Sequence, residues 1–183
     1  VVLSEGLHYD VLLKWEDPIS ASERFGFNND FIAFLPQGEG TEEGLLWVNH
    51  EYIDPKFVSD HWEGAKSKEQ VEKEQYNVGG TIVRIRKNDS GKWEVVEDQR
   101  NRRINAATEI PFNWPQPILG QDKAIGTLAN CSGGLTPWGT ILTCEENYDG
   151  FYGERNHKTG AIEINEDDDY GWRAHFDFPP EHY

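Results

Sequence analysis

Short apolar runs, broken every few residues by glycine, asparagine or proline, recur along this chain and restrict it to a fold of sequential β-hairpins. Thr81–Arg86 is the clearest of them, with Ile82, Val83 and Ile85 set against Arg84 and Arg86. Asn88-Asp89-Ser90-Gly91 then turns the chain into Lys92–Val96. Phe31–Leu35 and Leu45–Asn49 flank Gln37-Gly38-Glu39-Gly40 and predict a second hairpin with a loose loop. A third pairs Ile125–Ala129 with Thr140–Thr143 across a Gly133-Gly134 turn, and a fourth pairs Ala161–Ile164 with Trp172–Phe178 across an acidic turn. His8–Trp15 alternates more weakly and ends at Asp17-Pro18. Ser67–Gln75 is the one helical candidate; it is polar almost all round, which predicts a solvated excursion. The sum is an antiparallel all-β architecture, a β-propeller or a sandwich, without the clean repeat that would mark out blades.

At 183 residues the chain is long enough for one domain with a substantial core, and seven tryptophans and nine phenylalanines supply it. A formal net charge of −16 sets it against nucleic acid and against anionic lipid surfaces, and in favour of cations, with oxygen-ligated calcium a good match. No run is long and apolar enough for a membrane span, and no signal peptide opens the sequence. The chain has no methionine, starts at Val1 and stops at Pro179-Pro180-Glu181-His182-Tyr183 after aromatic-rich sequence, so a fragment of a longer protein is expected.

Asn130–Asn147 concentrates the chemistry: two thiols, two adjacent carboxylates and terminal carboxamides around glycines and a proline. Such groups are costly to bury unless something pairs with them. Glu145 and Glu146 end a candidate strand, where successive side chains face opposite ways, so one can enter a site while the other supports it. With Asn147 and Asp149 they suit calcium or a dinuclear centre; a solvated acidic strand end is the plainer alternative. Cys131 precedes Ser132, Gly133 and Gly134, whose small side chains would let backbone N–H groups and an ion approach. As a ligand its thiolate implies iron, zinc or copper; otherwise it is a buried free thiol. Cys144, beside Leu142, reads as core. For the pair, a disulfide, two thiols, or one ligand and a bystander all remain open.

Trp47-Val48-Asn49-His50-Glu51-Tyr52 is a second polar cluster at a strand end, with Glu51 its best hard ligand and His50 a structural hydrogen-bonder. Asn28, Asn29 and Asp30 offer oxygens but also spell an ordinary turn. Arg100-Asn101-Arg102-Arg103 reads as neutralising the acidic surface rather than holding phosphate, and Glu163–Asp169 as a solvated turn.

These motifs together resemble the PhoX-type alkaline phosphatase family, bacterial secreted phosphatases also described as a domain of unknown function. Trp15-Glu16-Asp17-Pro18, Phe25–Asp30, Trp47–Tyr52, Gly79–Val83, Asn101–Ile104 and above all Asn130–Asn147 carry the resemblance, which covers most of the chain. It implies a six-bladed β-propeller, of which residues 1–183 would be the N-terminal portion, with a polar excursion near 55–78. It implies hydrolysis of phosphate monoesters at a centre of iron and calcium, and export in folded form by the twin-arginine route to the periplasm or beyond. Carried over by motif, Cys131 is an iron ligand with a catalytic role, Glu146 a metal ligand at the same catalytic centre, and Glu51 and Glu145 further metal ligands.

The sequence departs from the family pattern at Glu16, where glycine is usual, and at Pro111–Pro115, where a glycine-rich stretch is expected. Further site residues would come from later blades, so the remainder of the propeller, or a second chain, is expected as a partner. Two other readings stand beside the phosphatase: a calcium-stabilised propeller acting as a non-catalytic binding or scaffold module, and a calcium-dependent lactonase-like hydrolase, which has no clear use for Cys131.

Overall fold

The computed structural model describes residues 1–164 and 169–176. Asn29–Pro36 (β1) and Glu43–His50 (β2) form the hairpin expected around Gln37–Gly40, and Gly79–Lys87 (β3) and Trp93–Val96 (β4) the one expected around Asn88–Gly91. Between these hairpins lie two helices, Pro55–Val58 (α1) and Lys68–Asn77 (α2). β2 pairs antiparallel with β3 along its whole length, joining the hairpins in the order β1-β2-β3-β4. Arg102–Ile104 (β5) pairs with β3 at Gly80–Ile82, so the outer edge of β3 is shared between β4 and β5. Asn101 bridges the seam: its Oδ1 accepts from Arg84 N at 2.7 Å while its Nδ2 donates to the carbonyls of Ile19 and Val96.

The remaining sheets are two-stranded: Glu109–Pro111 (β6) with Lys123–Ile125 (β7), Asn130–Leu135 (β8) with Ile141–Glu145 (β9), and, after helix Tyr148–Tyr152 (α3), Glu154–Arg155 (β10) with Ile162–Glu163 (β11). Pairing is antiparallel throughout, as the hairpin pattern predicts. Among the described residues the four sheets do not close into a ring.

Period-two alternation places Val83 and Ile85 of β3 beside Val48, Ile19 and Phe25, and the N-terminal Leu12 and Leu13 lie over that face. A second core joins Val71 and Val78 to Ile53, Leu128, Ala129, Phe151, Tyr152 and Trp172. Among the described residues no helix is long and apolar enough to cross a membrane.

Several expectations are corrected. His8–Trp15 is not a strand; it lacks ladder partners and contributes only Leu12 and Leu13 to the sheet's core. The third hairpin is displaced: Ile125 pairs with Glu109, because Gly126 (φ 83°) and Ala129 (φ 47°) interrupt the extended backbone before β8 begins at Asn130. Gly133 and Gly134 lie inside β8, and the chain reverses at Thr136–Thr140, where Gly139 has φ 80°. Packing requires glycine at 133, where a Cβ would meet the Phe31 ring at 2.4 Å.

In the last hairpin Ile162–Glu163 pairs with Glu154–Arg155 around an Asn156 turn, while Trp172–Ala174 is a 3-10 turn. Trp172 is fully buried against Phe151, and Phe178 and most of the acidic run lie outside the described residues.

The polar excursion near 55–78 is not merely solvated. α2 opens with a capping box between Ser67 and Gln70 and buries Val71, Glu74, Gln75 and Asn77. Apart from Val71 its buried face is made of satisfied polar groups, so it shows no apolar stripe. Glu74 accepts from Ser59 Oγ (2.7 Å), Lys66 Nζ (2.8 Å) and Trp172 Nε1 (2.8 Å), and Gln75 Nε2 donates to Tyr152 Oη (2.8 Å).

Candidate metal centre

Two strand irregularities build the site. Between Asn29 and Ile32, β1 carries one residue more than β2, which pairs His50 and Val48 against them. Between Asn130 and Gly133, β8 likewise exceeds β9, whose Glu145 and Thr143 are their partners. A bulge re-aims the side chains it contains. Asp30 lies in the first bulge and Cys131 in the second, and β1 packs on β8. Glu51 follows the last residue of β2. Donor atoms of Asp30, Glu51 and Cys131 lie within 4.8 Å of one another.

Backbone geometry sharpens these approaches. Asn28 (φ 47°), Ala129 (φ 47°) and Asn147 (φ 53°) adopt left-handed conformations beside Asp30, Cys131 and Glu146 in turn. Such residues are uncommon outside glycine and concentrate where a site constrains the chain.

Asn49 fixes the second bulge to the central sheet. Fully buried, it donates through Nδ2 to the carbonyls of Cys131 (2.9 Å) and Ser132 (3.2 Å), and its Oδ1 accepts from Trp47 Nε1 (2.6 Å) and Thr143 Oγ1 (2.9 Å). All four hydrogen-bonding positions of the carboxamide are used. Gly80 makes room for Trp47, whose ring a Cβ would meet at 2.3 Å.

The electrostatics are those of crowded anions. Hydrogen bonds to the carboxylates of Glu146 and Asp30 push the Cys131 thiol up to about 12. Glu51 is raised by burial and then by the charge of Asp30. Tyr52 is raised by burial and then by Glu51 and Glu146; its hydroxyl contacts the Glu51 carboxylate and accepts from Asn147 Nδ2. Asp30, Glu51 and Cys131 together offer a donor set that could hold a cation, with Glu146 hydrogen-bonded to the thiol beside them. The set's mixture of hard oxygen and soft sulfur accommodates both calcium-like and transition-metal ions.

Of the residues expected at a site, Cys131, Glu146 and Glu51 come together. Glu145 points the other way along β9, and its Oε1 accepts from Leu128 N at 3.0 Å. Cys144 is exposed rather than core, and both cysteines are free. His50 is structural as expected: buried, with its ring between Phe27 O (2.9 Å) and Thr81 Oγ1 (2.7 Å). Arg100 does neutralise acid, gripping Asp98 at 2.8 Å, whereas Arg103 is buried and donates to Thr81 Oγ1, Tyr76 O and Val78 O. Asp30, whose sequence context also spells a turn, and Tyr52 join Cys131, Glu146 and Glu51; the sequence signal for Asp30 is its place one residue ahead of an apolar strand.

Antiparallel hairpins define a β-rich protein, and the acidic, thiol-bearing cluster at their ends could hold a metal ion. The family model for alkaline phosphatase PhoX matches residues 1–182, and the chain belongs to that family. It is similar in fold to the solved structure of Pseudomonas fluorescens PhoX in complex with vanadate, a transition state analogue, with 23% identity and a TM-score of 0.71. That likeness covers 90% of this chain and 34% of the other, so the chain spans about a third of that protein's length. No curated protein matches it.

Proposed function

We propose that this chain is the N-terminal portion of a six-bladed β-propeller that hydrolyses phosphate monoesters with iron and calcium, exported to the periplasm or secreted. The convergence of Asp30, Glu51 and Cys131 within 4.8 Å carries the reading, together with membership of the family. Cys131 is the iron ligand, Glu146 and Glu51 are carboxylate ligands beside it, and Asp30 joins them. Glu145, the remaining candidate, has one oxygen committed to Leu128 N and serves the centre mainly by holding the turn before β8.

Bound there, the ions would neutralise phosphoryl oxygens and activate the attacking oxygen. The chain's own part is to gather the donors. Asn49 holds the Cys131 carbonyl, and Tyr52 ties Glu51 to Asn147 next to Glu146. The thiol is protonated while the carboxylates face it alone, and it surrenders that proton when a cation replaces it. A thiol in the cluster favours this reading over a calcium-only lactonase or scaffold.

Elemental analysis of the full-length protein purified without chelator, paired with hydrolysis of a chromogenic phosphate monoester, tests the proposal. Iron and calcium present in wild type, with iron and turnover lost in Cys131→Ala, support it. Calcium without iron, or turnover that survives Cys131→Ala with iron retained, overturns it.

A further inference from the structure

Arg103, Thr81 and His50 form a hydrogen-bond relay with one possible direction. Arg103 Nη1 lies 2.6 Å from Thr81 Oγ1 and can only donate, so the threonine oxygen accepts. The one Thr81 proton is left for His50 Nε2, 2.7 Å away. His50 Nδ1 lies 2.9 Å from the Phe27 carbonyl, which can only accept, so Nδ1 carries a ring proton and donates it. Arg103, Thr81 and His50 are all buried.

The relay ends where the candidate centre begins. Phe27 precedes left-handed Asn28, and Asp30 follows in its bulge. Glu51, adjacent to His50, returns a backbone bond from its N–H to Asn28 O at 3.1 Å. Phe27 and Asn28 are thus tied twice to the end of β2, once through the His50 ring and once through the Glu51 backbone. Gly26 allows the arginine to lie there; a Cβ would meet the guanidinium at 2.4 Å.

We infer that Arg103, Thr81 and His50 are positioning residues for the metal centre, setting Asp30 against Glu51 through the Phe27 carbonyl. The inference rests on the metal-binding reading above. Hydrogen bonds behind metal ligands fix ligand orientation, and their loss weakens metal binding by roughly 10- to 100-fold.

The test is a cobalt(II) titration of the full-length protein, followed by the thiolate-to-cobalt absorption band, in wild type, Thr81→Val and Thr81→Ser. Amide hydrogen exchange across residues 28–31 is measured alongside. Thr81→Val keeps the shape and removes the hydroxyl. It is expected to weaken cobalt binding about 10- to 100-fold and to speed exchange at 28–31, while Thr81→Ser restores both. Cobalt affinity equal to wild type in Thr81→Val, even with a lower melting temperature, overturns the inference and leaves the metal reading standing. A wild-type protein without a thiolate band that Cys131→Ser removes overturns both.

Nitrogen NMR of the wild-type His50 ring supplies a check independent of any variant. Protonated Nδ1 with an accepting Nε2 is expected, and the opposite tautomer overturns the relay.

Discussion

Asp30 and Cys131 occupy matching places on two different hairpins: each sits in a one-residue bulge, and β1 packing on β8 brings the two bulges together. A bulge breaks the strict two-face alternation of regular pairing and re-aims the side chain it holds. The bulges are therefore where the fold gives up regular pairing to assemble a donor set.

The cost of holding one of those bulges falls on Asn49. Replacing it with leucine leaves the Trp47 N–H, the Thr143 hydroxyl and the carbonyls of Cys131 and Ser132 without their shared partner. Asn49→Leu is expected to lose roughly 2–4 kcal/mol of stability, since buried polar groups deprived of partners cost about 1–3 kcal/mol each and relax in part. Urea unfolding checks this: a shifted midpoint at unchanged slope is expected, and a midpoint equal to wild type contradicts it.

Glu74 holds α2 to the second core through a buried ion pair with Lys66 at 2.8 Å, the two side chains being 0% and 7% exposed. Glu74→Gln leaves the Lys66 ammonium without its counter-charge and is expected to destabilise by roughly 3–5 kcal/mol. Removing both charges, in Lys66→Met with Glu74→Gln, should cost less than the sum of the single changes. A double-mutant cycle by chemical denaturation measures the coupling, and strict additivity would refute it.

Acid should expose the contribution of Asp98. Its carboxylate is held well below the usual 3.8, first by the Arg100 side chain and backbone N–H and then by Arg84. A carboxylate with a depressed folded-state pKa contributes stability that is fully present above the unfolded value and lost as pH falls through the folded one. Asp98→Asn should therefore be less stable than wild type at neutral pH, with a gap that narrows below about pH 3.8. Thermal melts of the two proteins from pH 7 to pH 2 follow that gap, and a constant difference is the contrary result.

Metal uptake should release protons. With Cys131 raised to about 12 by Glu146 and Asp30, the thiol enters neutral solution protonated, so a thiolate-binding cation must displace that proton. Apparent affinity is expected to climb by about tenfold per pH unit through neutrality if one proton leaves per ion. Calorimetry in buffers of different ionisation enthalpy counts the protons directly. In Cys131→Ser this proton release should disappear.

The hairpins β1-β2 and β3-β4 were legible because alternation and turn residues are local: each strand's buried face is written at spacing two, and Gly or Asn marks each reversal. Of the β8-β9 hairpin only the second strand is legible: the pattern offers Ile125–Ala129 as its partner, where Asn130–Leu135 pairs instead. Gly133 belongs to a strand against which Phe31 packs, a reason for glycine that lies about a hundred residues away in sequence. α2 was recognised as helical, but its buried face could not be, because Glu74, Gln75 and Asn77 become core residues only through partners on distant elements.

By itself, the sequence determined most of the hairpin architecture, the acidic character, and the run of Cys131, Glu145 and Glu146 from which the family is recognisable. Tertiary structure alone decided which acids meet the thiol. It drew in Asp30, turned Glu145 back to its own backbone, and buried Arg103 and His50 behind the site. The physical reason is that a bulge or a left-handed residue is a single-residue event without a period. Its effect, which face a side chain takes, depends on strands that the chain reaches only much later.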